Sequence, residues 1–426
     1  MNTSIGKRLA LLLSGVLLLT GCYAAPAAES VRQGSTPPES AQPTQPPAAE
    51  TAITTYPVPE ENLLVSINMA DSPSTGGFWQ WDMMLHPYIE AYDPVTRTAY
   101  VPCYQSGCRH NDSTCSACFG NLSALAEYRD SLYALVQQDG ESAASLVSRP
   151  LSGGALRVLA SWEPENEGEE YRCTLRCISF GKAYLTVTRA AYLPEDGQLT
   201  RDEQENRLVS VDLQTGEEAT ILEHAENYDL YGVWGDCAVF QVQETAEGAP
   251  DFADWAAQQP EASWDEYERL YIRYRILSRD LRTGVETTIV DGSEPFVWSA
   301  DPHRSWGKYA VYQVGRSVYV YDMETQETKK LFTHEQERKF YNYLLLDGHA
   351  IVLCGTEDAC NAWAVDLADG SVIELDTRGE NAMPFSAHYE CDGYFAGLLS
   401  DSPGNYELCH ISKEDFYRSN YDGAFR

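Results

Sequence analysis

Two hairpin motifs alternate along this chain at a period of roughly 40 to 55 residues, and a repeat of that length leaves few folds open. The first motif is an apolar strand, a two-residue turn and an alternating strand. It reads Tyr128-Arg129-Asp130-Ser131-Leu132-Tyr133-Ala134-Leu135, then Phe180-Gly181-Lys182-Ala183-Tyr184-Leu185, then Trp234-Gly235-Asp236-Cys237-Ala238-Val239-Phe240. It returns as Trp306-Gly307-Lys308-Tyr309-Ala310-Val311-Tyr312, Leu346-Asp347-Gly348-His349-Ala350-Ile351-Val352 and Cys391-Asp392-Gly393-Tyr394-Phe395-Ala396-Gly397. Gly and Asp supply the positive torsions that tight hairpins need, and the flanking alternation turns one face of each strand into a core.

The second motif falls between copies of the first. Val211-Asp212-Leu213-Gln214-Thr215-Gly216 recurs as Arg279-Asp280-Leu281-Arg282-Thr283-Gly284, Tyr321-Asp322-Met323-Glu324-Thr325-Gln326 and Val365-Asp366-Leu367-Ala368-Asp369-Gly370. Weaker copies are Tyr92-Asp93-Pro94-Val95-Thr96-Arg97, Pro150-Leu151-Ser152-Gly153-Gly154 and Ile411-Ser412-Lys413-Glu414. Two hairpins per unit make four strands. Such units predict an all-β chain folded as a β-propeller, in which each blade buries its faces against its neighbours.

The copies of the second motif predict about seven four-stranded blades over residues 62–426. Six to eight fit the count, because the first hairpin, within 63–85, is obscure. The N-terminal strands are candidates to close the ring by pairing with the last blade. A β-sandwich or two smaller β-domains are the alternatives. The Asp-Leu-x-Thr-Gly turns resemble those of quinoprotein-type and TolB-type propellers, but the regularly spaced docking tryptophan of quinoproteins is missing. Trp81-Asp82, Trp264-Asp265 and Gly348-His349 stand at the wrong places for a WD40 array, and Gly76-Gly77 and Gly153-Gly154 do not repeat as kelch glycines do.

The start of the chain carries a different message. Lys7-Arg8, an apolar run from Leu9 to Leu19 and then Leu19-Thr20-Gly21-Cys22 read as a secretion signal too short to span a bilayer. The last four residues resemble the lipobox of bacterial lipoproteins. That resemblance implies a signal peptide at 1–21, cleavage before Cys22 and diacylation of its sulfur. Each buried acyl methylene contributes about 0.8 kcal/mol, so two or three chains anchor a protein durably to a membrane. Residues 22–61 are rich in Pro, Ala, Ser, Thr, Gln and Glu, a composition that buries no core and reads as a disordered tether on the order of 100 Å long when extended. The expected location is the extracytoplasmic face of the cell membrane, held there by lipid.

The formal charge is −34, and removing Lys7 and Arg8 with the signal takes it to −36. Such a surface repels phosphate backbones and anionic headgroups, so nucleic acid is excluded as a partner. The chain as a whole is similar to lipoproteins of clostridial-type bacteria that combine a lipobox, a Pro/Ser/Thr tether, TolB-like or DUF5050-like repeats and a cysteine cluster after the first blade. The resemblance implies a fold and an address and transfers no activity.

That cluster occupies a Cys-rich loop at 102–120, where Cys103, Cys108, Cys115 and Cys118 are spaced C-x4-C-x6-C-x2-C with His110 among them. Two disulfides are the leading expectation for an exported protein, a structural zinc site the alternative, and free thiols the third reading. No other cofactor is expected. Eleven cysteines remain beside Cys22, so at least one is unpaired within the chain. Cys354 and Cys360 are disulfide candidates across a hairpin, Cys391 and Cys409 across the last blade, while Cys173, Cys177 and Cys237 read as buried apolar positions.

One insertion breaks the rhythm. Residues 244–269 carry Phe252, Trp255, Trp264 and Tyr267 among many acids at helical spacing, which reads either as a helical cap on one face or as a ligand-contacting loop. Catalytic signatures are lacking: there is no G-x-S-x-G, P-loop, H-E-x-x-H or Asp-rich calcium loop. His86, His303 and His388 read as surface or core residues. The favoured function is a non-catalytic binding or scaffold module for a cell-surface protein, glycan or peptide. The alternative is an extracellular propeller enzyme acting on polysaccharide or peptide.

Overall fold

The computed structural model describes residues 53–64, 71–73, 78–81, 88–103, 105–112, 114–137, 143–166, 168–191, 204–258, 263–292, 304–333, 340–355, 360–377, 383–402 and 405–425. The signal, Cys22, most of the tether, His86 and His303 lie outside these residues. No helix among the described residues is long and apolar enough to cross a membrane.

Among the described residues, seven antiparallel sheets follow one another along the chain, at 71–100, 122–162, 169–222, 228–292, 305–333, 340–375 and 385–412. Within each, strands pair in sequence order, as hairpin-connected meanders must. The first strands of the sheets are Asp71–Pro73, Leu122–Tyr128, Glu169–Ser179, Tyr228–Trp234, Ser305–Trp306, Phe340–Leu346 and Phe385–Cys391. Each approaches the next, and the last returns to the first. A closed cycle of innermost strands is the defining geometry of a β-propeller.

Six sheets contain the four-stranded meander, and the seventh has three strands. The expectation of seven four-stranded blades is therefore corrected at its last repeat. There Ser412 accepts a hydrogen bond from Asp415 N (3.0 Å) and N-caps helix α1 (Lys413–Tyr417), so the chain enters a helix where the other copies turn into a fourth strand. The open edge is instead met by the C-terminus, where His410 and Phe425 exchange backbone hydrogen bonds of 2.7 and 2.8 Å.

The Asp of the second motif closes each outer hairpin. Asp212 Oδ1 accepts from the backbone N–H groups of Gln214 (3.0 Å) and Thr215 (2.8 Å), and Asp280 and Asp322 repeat the arrangement two and three residues on. The chain then needs a left-handed residue, supplied by Gly216 at φ +80° and by Gln326 at φ +60°.

Ring closure does not use the N-terminal strand as anticipated. Leu63–Leu64 pairs antiparallel with Ile178 and Cys177, the innermost strand of the third sheet, and so lies on the channel side of that sheet. The first and last sheets are joined by side chains: Tyr92 stacks on His410.

Candidate functional site

Three places on the ring gather chemistry. The first is the face that carries the turns between first and second strands, because segment 53–64 runs across it and touches six of the seven sheets. Glu61 accepts from Tyr128 OH (3.1 Å), Arg129 Nη2 (3.1 Å) and Phe180 N. Asn62 is buried at φ +59° and makes four hydrogen bonds. Its N donates to Ser179 Oγ (3.2 Å), its Nδ2 to Ser305 Oγ (2.9 Å) and Gly307 O (2.7 Å), and its Oδ1 accepts from Val233 N (3.0 Å). Val58 N donates to Asp392 Oδ1 (2.8 Å). The extended tether expected up to Glu61 thus ends earlier, with Ile53 already against the core of the last two sheets.

Tyr56 marks the densest part of this seal. Its N donates to Asp347 Oδ1 (2.6 Å) and its OH to Asp366 Oδ2 (2.6 Å). Lys413 Nζ donates to Tyr56 O (2.7 Å) and Asp347 Oδ1 (2.8 Å) and stands 3.5 Å from Glu390 Oε2. Trp306 Nε1 and Asp347 N each donate to Glu390 at 2.6 Å, and Tyr417 OH donates to Asp347 Oδ2 at 2.9 Å. Burial pushes Glu390 up to about 7, with Asp347 adding repulsion against the pull of Lys413. Two buried carboxylates facing one ammonium leave the proton on one of them, and every member is engaged in holding segment, ring and helix together. This structural lock draws on both repeated motifs, Asp347 from a turn of the first and Lys413 from the last copy of the second.

The second place is the loop between the first two sheets. Alternation along the meanders puts it, with the insertion, on the face opposite the seal. Donor atoms of Cys103, Cys108, His110 and Cys115 all lie within 4.8 Å of one another, and His110 Nδ1 is 3.2 Å from Cys115 Sγ. All four cysteines of the loop are thiols in this structure. Cys118 is not one of these four donors, although its thiol is hydrogen-bonded to Cys115; both are buried with Ala117, Phe119 and Leu122 in the core between the sheets. Burial raises the Cys103 thiol, but the N–H of Gln105 and hydrogen bonds from Ser116, Cys115 and Cys108 outweigh it and bring the group down to about 6.

The other pairings read from spacing do not fit the strand register. Cys354 pairs with Asn361 and Cys360 with Gly355, so adjacent register positions send the two cysteines to opposite faces of the sheet. Cys391 and Cys409 lie on the first and third strands of the last sheet, with Tyr394–Ser402 between them, beyond the reach of a disulfide. Cys173, Cys177 and Cys237 are buried, as read.

The third place is the insertion, which forms two short helices, Phe252–Gln258 and Trp264–Tyr271. Ser263 caps the second by accepting from Glu266 N (3.2 Å). Trp255 and Tyr267 are buried against Tyr231, Tyr274 and Tyr312 of the ring, whereas Trp264 is 45% exposed. The segment is thus a cap with one aromatic left outside. His388 is half-buried on an inner strand. A polar cleft of about 560 Å³ opens between the fourth and fifth sheets, lined by Trp234, Asp236, Arg279, Asp280, Met323 and Glu324. Arg279 there is already paired with Glu286 (2.7 Å), and Asp280 is consumed by its own turn.

No protein-family model matches the chain, and no curated protein matches it either. Solved structures similar to it include the β-propeller domain of the Trilobed protease from Pyrococcus furiosus, at 11% identity and TM-score 0.45, covering 82% of this chain and 93% of that one. TolB from Acinetobacter baumannii is similar at 12% identity and TM-score 0.32, covering 81% and 76%. Oligogalacturonate lyase from Vibrio parahaemolyticus is similar at 15% identity and TM-score 0.39, covering 67% and 73%. At these values no activity passes from them to this chain.

Proposed function

We propose that this chain is a lipid-tethered, non-catalytic binding module that works on the extracytoplasmic face of the cell membrane. One observation carries the reading: segment 53–64 is bonded across one face of the ring and into the channel side of the third sheet. The tether therefore leaves from the sealed face, and the opposite face, with the insertion and its exposed Trp264, is the one presented to a protein, glycan or peptide. The carboxylates of the sealed face are committed to holding the segment, which favours binding over acid–base chemistry there.

The test joins address to action. Cys22→Ser should move the folded chain from the membrane to the soluble fraction. The purified chain, titrated with cell-wall polysaccharide fragments and peptides, should show saturable binding and no product formation. Cleavage or lyase products would establish the enzyme reading in its place, and membrane retention of the Cys22→Ser chain would remove the anchor.

A further inference from the structure

The loop at 102–120 carries four donors that the binding reading does not use, and a buried cation of the second sheet, Arg149, is bonded to it. We infer that Cys103, Cys108, His110 and Cys115 form a closed zinc(II) site, with His110 and not Cys118 as the fourth ligand. Tetrahedral zinc with thiolate and imidazole ligands needs donor separations of roughly 3.5–3.8 Å, from bonds of about 2.3 Å to sulfur and 2.0–2.1 Å to nitrogen. The four donors already lie within 4.8 Å of one another, with His110 Nδ1 and Cys115 Sγ at 3.2 Å. Closing onto a metal requires only small side-chain movements.

The backbone around the donors is arranged for thiolates. His110 N points at Cys108 Sγ (3.4 Å) and Ala117 N at Cys115 Sγ (3.3 Å), each an N–H two residues after the sulfur it serves. Such N–H groups favour sulfur in its charged form. His110 reaches the cluster from a left-handed backbone, φ +54°. Cys118 follows Cys115 in the C-x2-C spacing that suggests a ligand pair and contacts its thiol, yet the group of mutually close donor atoms takes in His110 and not Cys118.

Arg149 supplies an independent argument. Its side chain is buried, and Nη1 donates to the carbonyls of Cys115 (2.8 Å), Cys118 (3.3 Å) and Ser116. No carboxylate among the described residues pairs with it. A buried guanidinium needs a compensating negative charge nearby. Three thiolates, one neutral imidazole and Zn²⁺ sum to one negative charge, which Arg149 balances. Metal binding releases to solvent whatever thiol protons the three cysteines still hold.

The site is structural because four protein ligands leave no open position. It lies beside the sheet whose described strands are shortest. The first sheet has strands of only 3, 4, 5 and 3 residues, and the loop fills the wedge between it and the second sheet with Cys115, Ala117 and Phe119. A metal there ties the shortest blade to its neighbour.

The full chain, purified without chelator, should contain one zinc by elemental analysis. Exchange for Co²⁺ should give an intense sulfur-to-cobalt absorption with tetrahedral visible bands. Cys103→Ser and His110→Ala should abolish stoichiometric zinc, and Arg149→Met should weaken it by roughly 10- to 100-fold, as loss of an outer partner does. Cys118→Ser should leave stoichiometry and cobalt spectrum unchanged; because Cys103 and His110 are not fully buried, their variants keep the test readable if core substitutions misfold. Metal-free chain with these cysteines joined in two disulfides on unreduced peptide mapping would overturn the inference. So would zinc lost in Cys118→Ser and kept in His110→Ala.

Discussion

Tyr92 and His410 stack face to face across the closure of the ring, their centroids 4.1 Å apart and their planes within 9°. Tyr92 belongs to the first sheet and His410 to the last, and Phe425 stacks on the same imidazole at 5.9 Å. Burial holds His410 down to about 4, against an ordinary value of 6.5. Between those values the unfolded chain binds more protons than the folded one, so stability is present above pH 6.5 and is lost as the pH falls towards 4. Urea unfolding should show this slope, at most about 1.4 kcal/mol per pH unit from one proton. His410→Phe keeps a stack without a proton site and should flatten it; an unchanged slope would assign the titration elsewhere.

Glu390 should act in the opposite direction. Its folded pKa, raised by burial to about 7 from 4.5, means that the folded state holds the proton more tightly. Stability from this group is complete below about pH 4.5 and declines as the pH rises through 7. Glu390→Gln keeps the acceptor for Trp306 and should remove that decline in unfolding measured from pH 5 to 8.

Lys413 is the lone ammonium between Asp347 and Glu390. Lys413→Met leaves a buried carboxylate without its cation and should cost roughly 3–5 kcal/mol in chemical unfolding at pH 7. Asp347→Asn in the same chain should restore part of it, since the uncompensated charge is then removed as well.

Asn62 holds the seal by four hydrogen bonds to the third, fourth and fifth sheets or their turns. Asn62→Ala strands Val233 N and Gly307 O and should cost about 2–3 kcal/mol. Gly232→Ala should be comparable or worse, because its Cβ would fall 2.3 Å from Ser305 Oγ and 2.6 Å from Asn62 Nδ2. Hydrogen exchange should report opening of 56–64 in both variants ahead of global unfolding.

The two tryptophans of the insertion should separate stability from binding. Trp255 is buried in the cap, so Trp255→Ala should cost about 3–5 kcal/mol. Trp264→Ala should change thermal stability by only about 0.5 kcal/mol while weakening ligand binding on the presented face. Equal binding by wild type and Trp264→Ala would move the contact to another part of that rim.

Much of the ring was legible because its signals are local. A turn such as Asp212-Leu213-Gln214-Thr215-Gly216 carries its own hydrogen bonds, and strand alternation announces a buried face without knowledge of the neighbour. The last repeat was misread for a related reason. Ile411-Ser412-Lys413-Glu414 looks like another turn until Ser412 is seen to cap a helix whose Lys413 and Phe416 are buried by residues far away in sequence. Likewise, Pro-rich composition around Tyr56 and Asn62 conceals side chains whose partners lie more than two hundred residues on.

The sequence by itself determined the class of fold, the repeat and the turns, since torsional preference and alternation act within a few residues. Only the tertiary structure decided that the tether's end seals one face, that Cys354 and Cys360 stand on opposite faces of their sheet, and that the donor atoms of His110, Cys103, Cys108 and Cys115 lie within 4.8 Å of one another. Each of these depends on register and on which groups meet across the ring, and spacing along a chain carries neither direction nor distance through space.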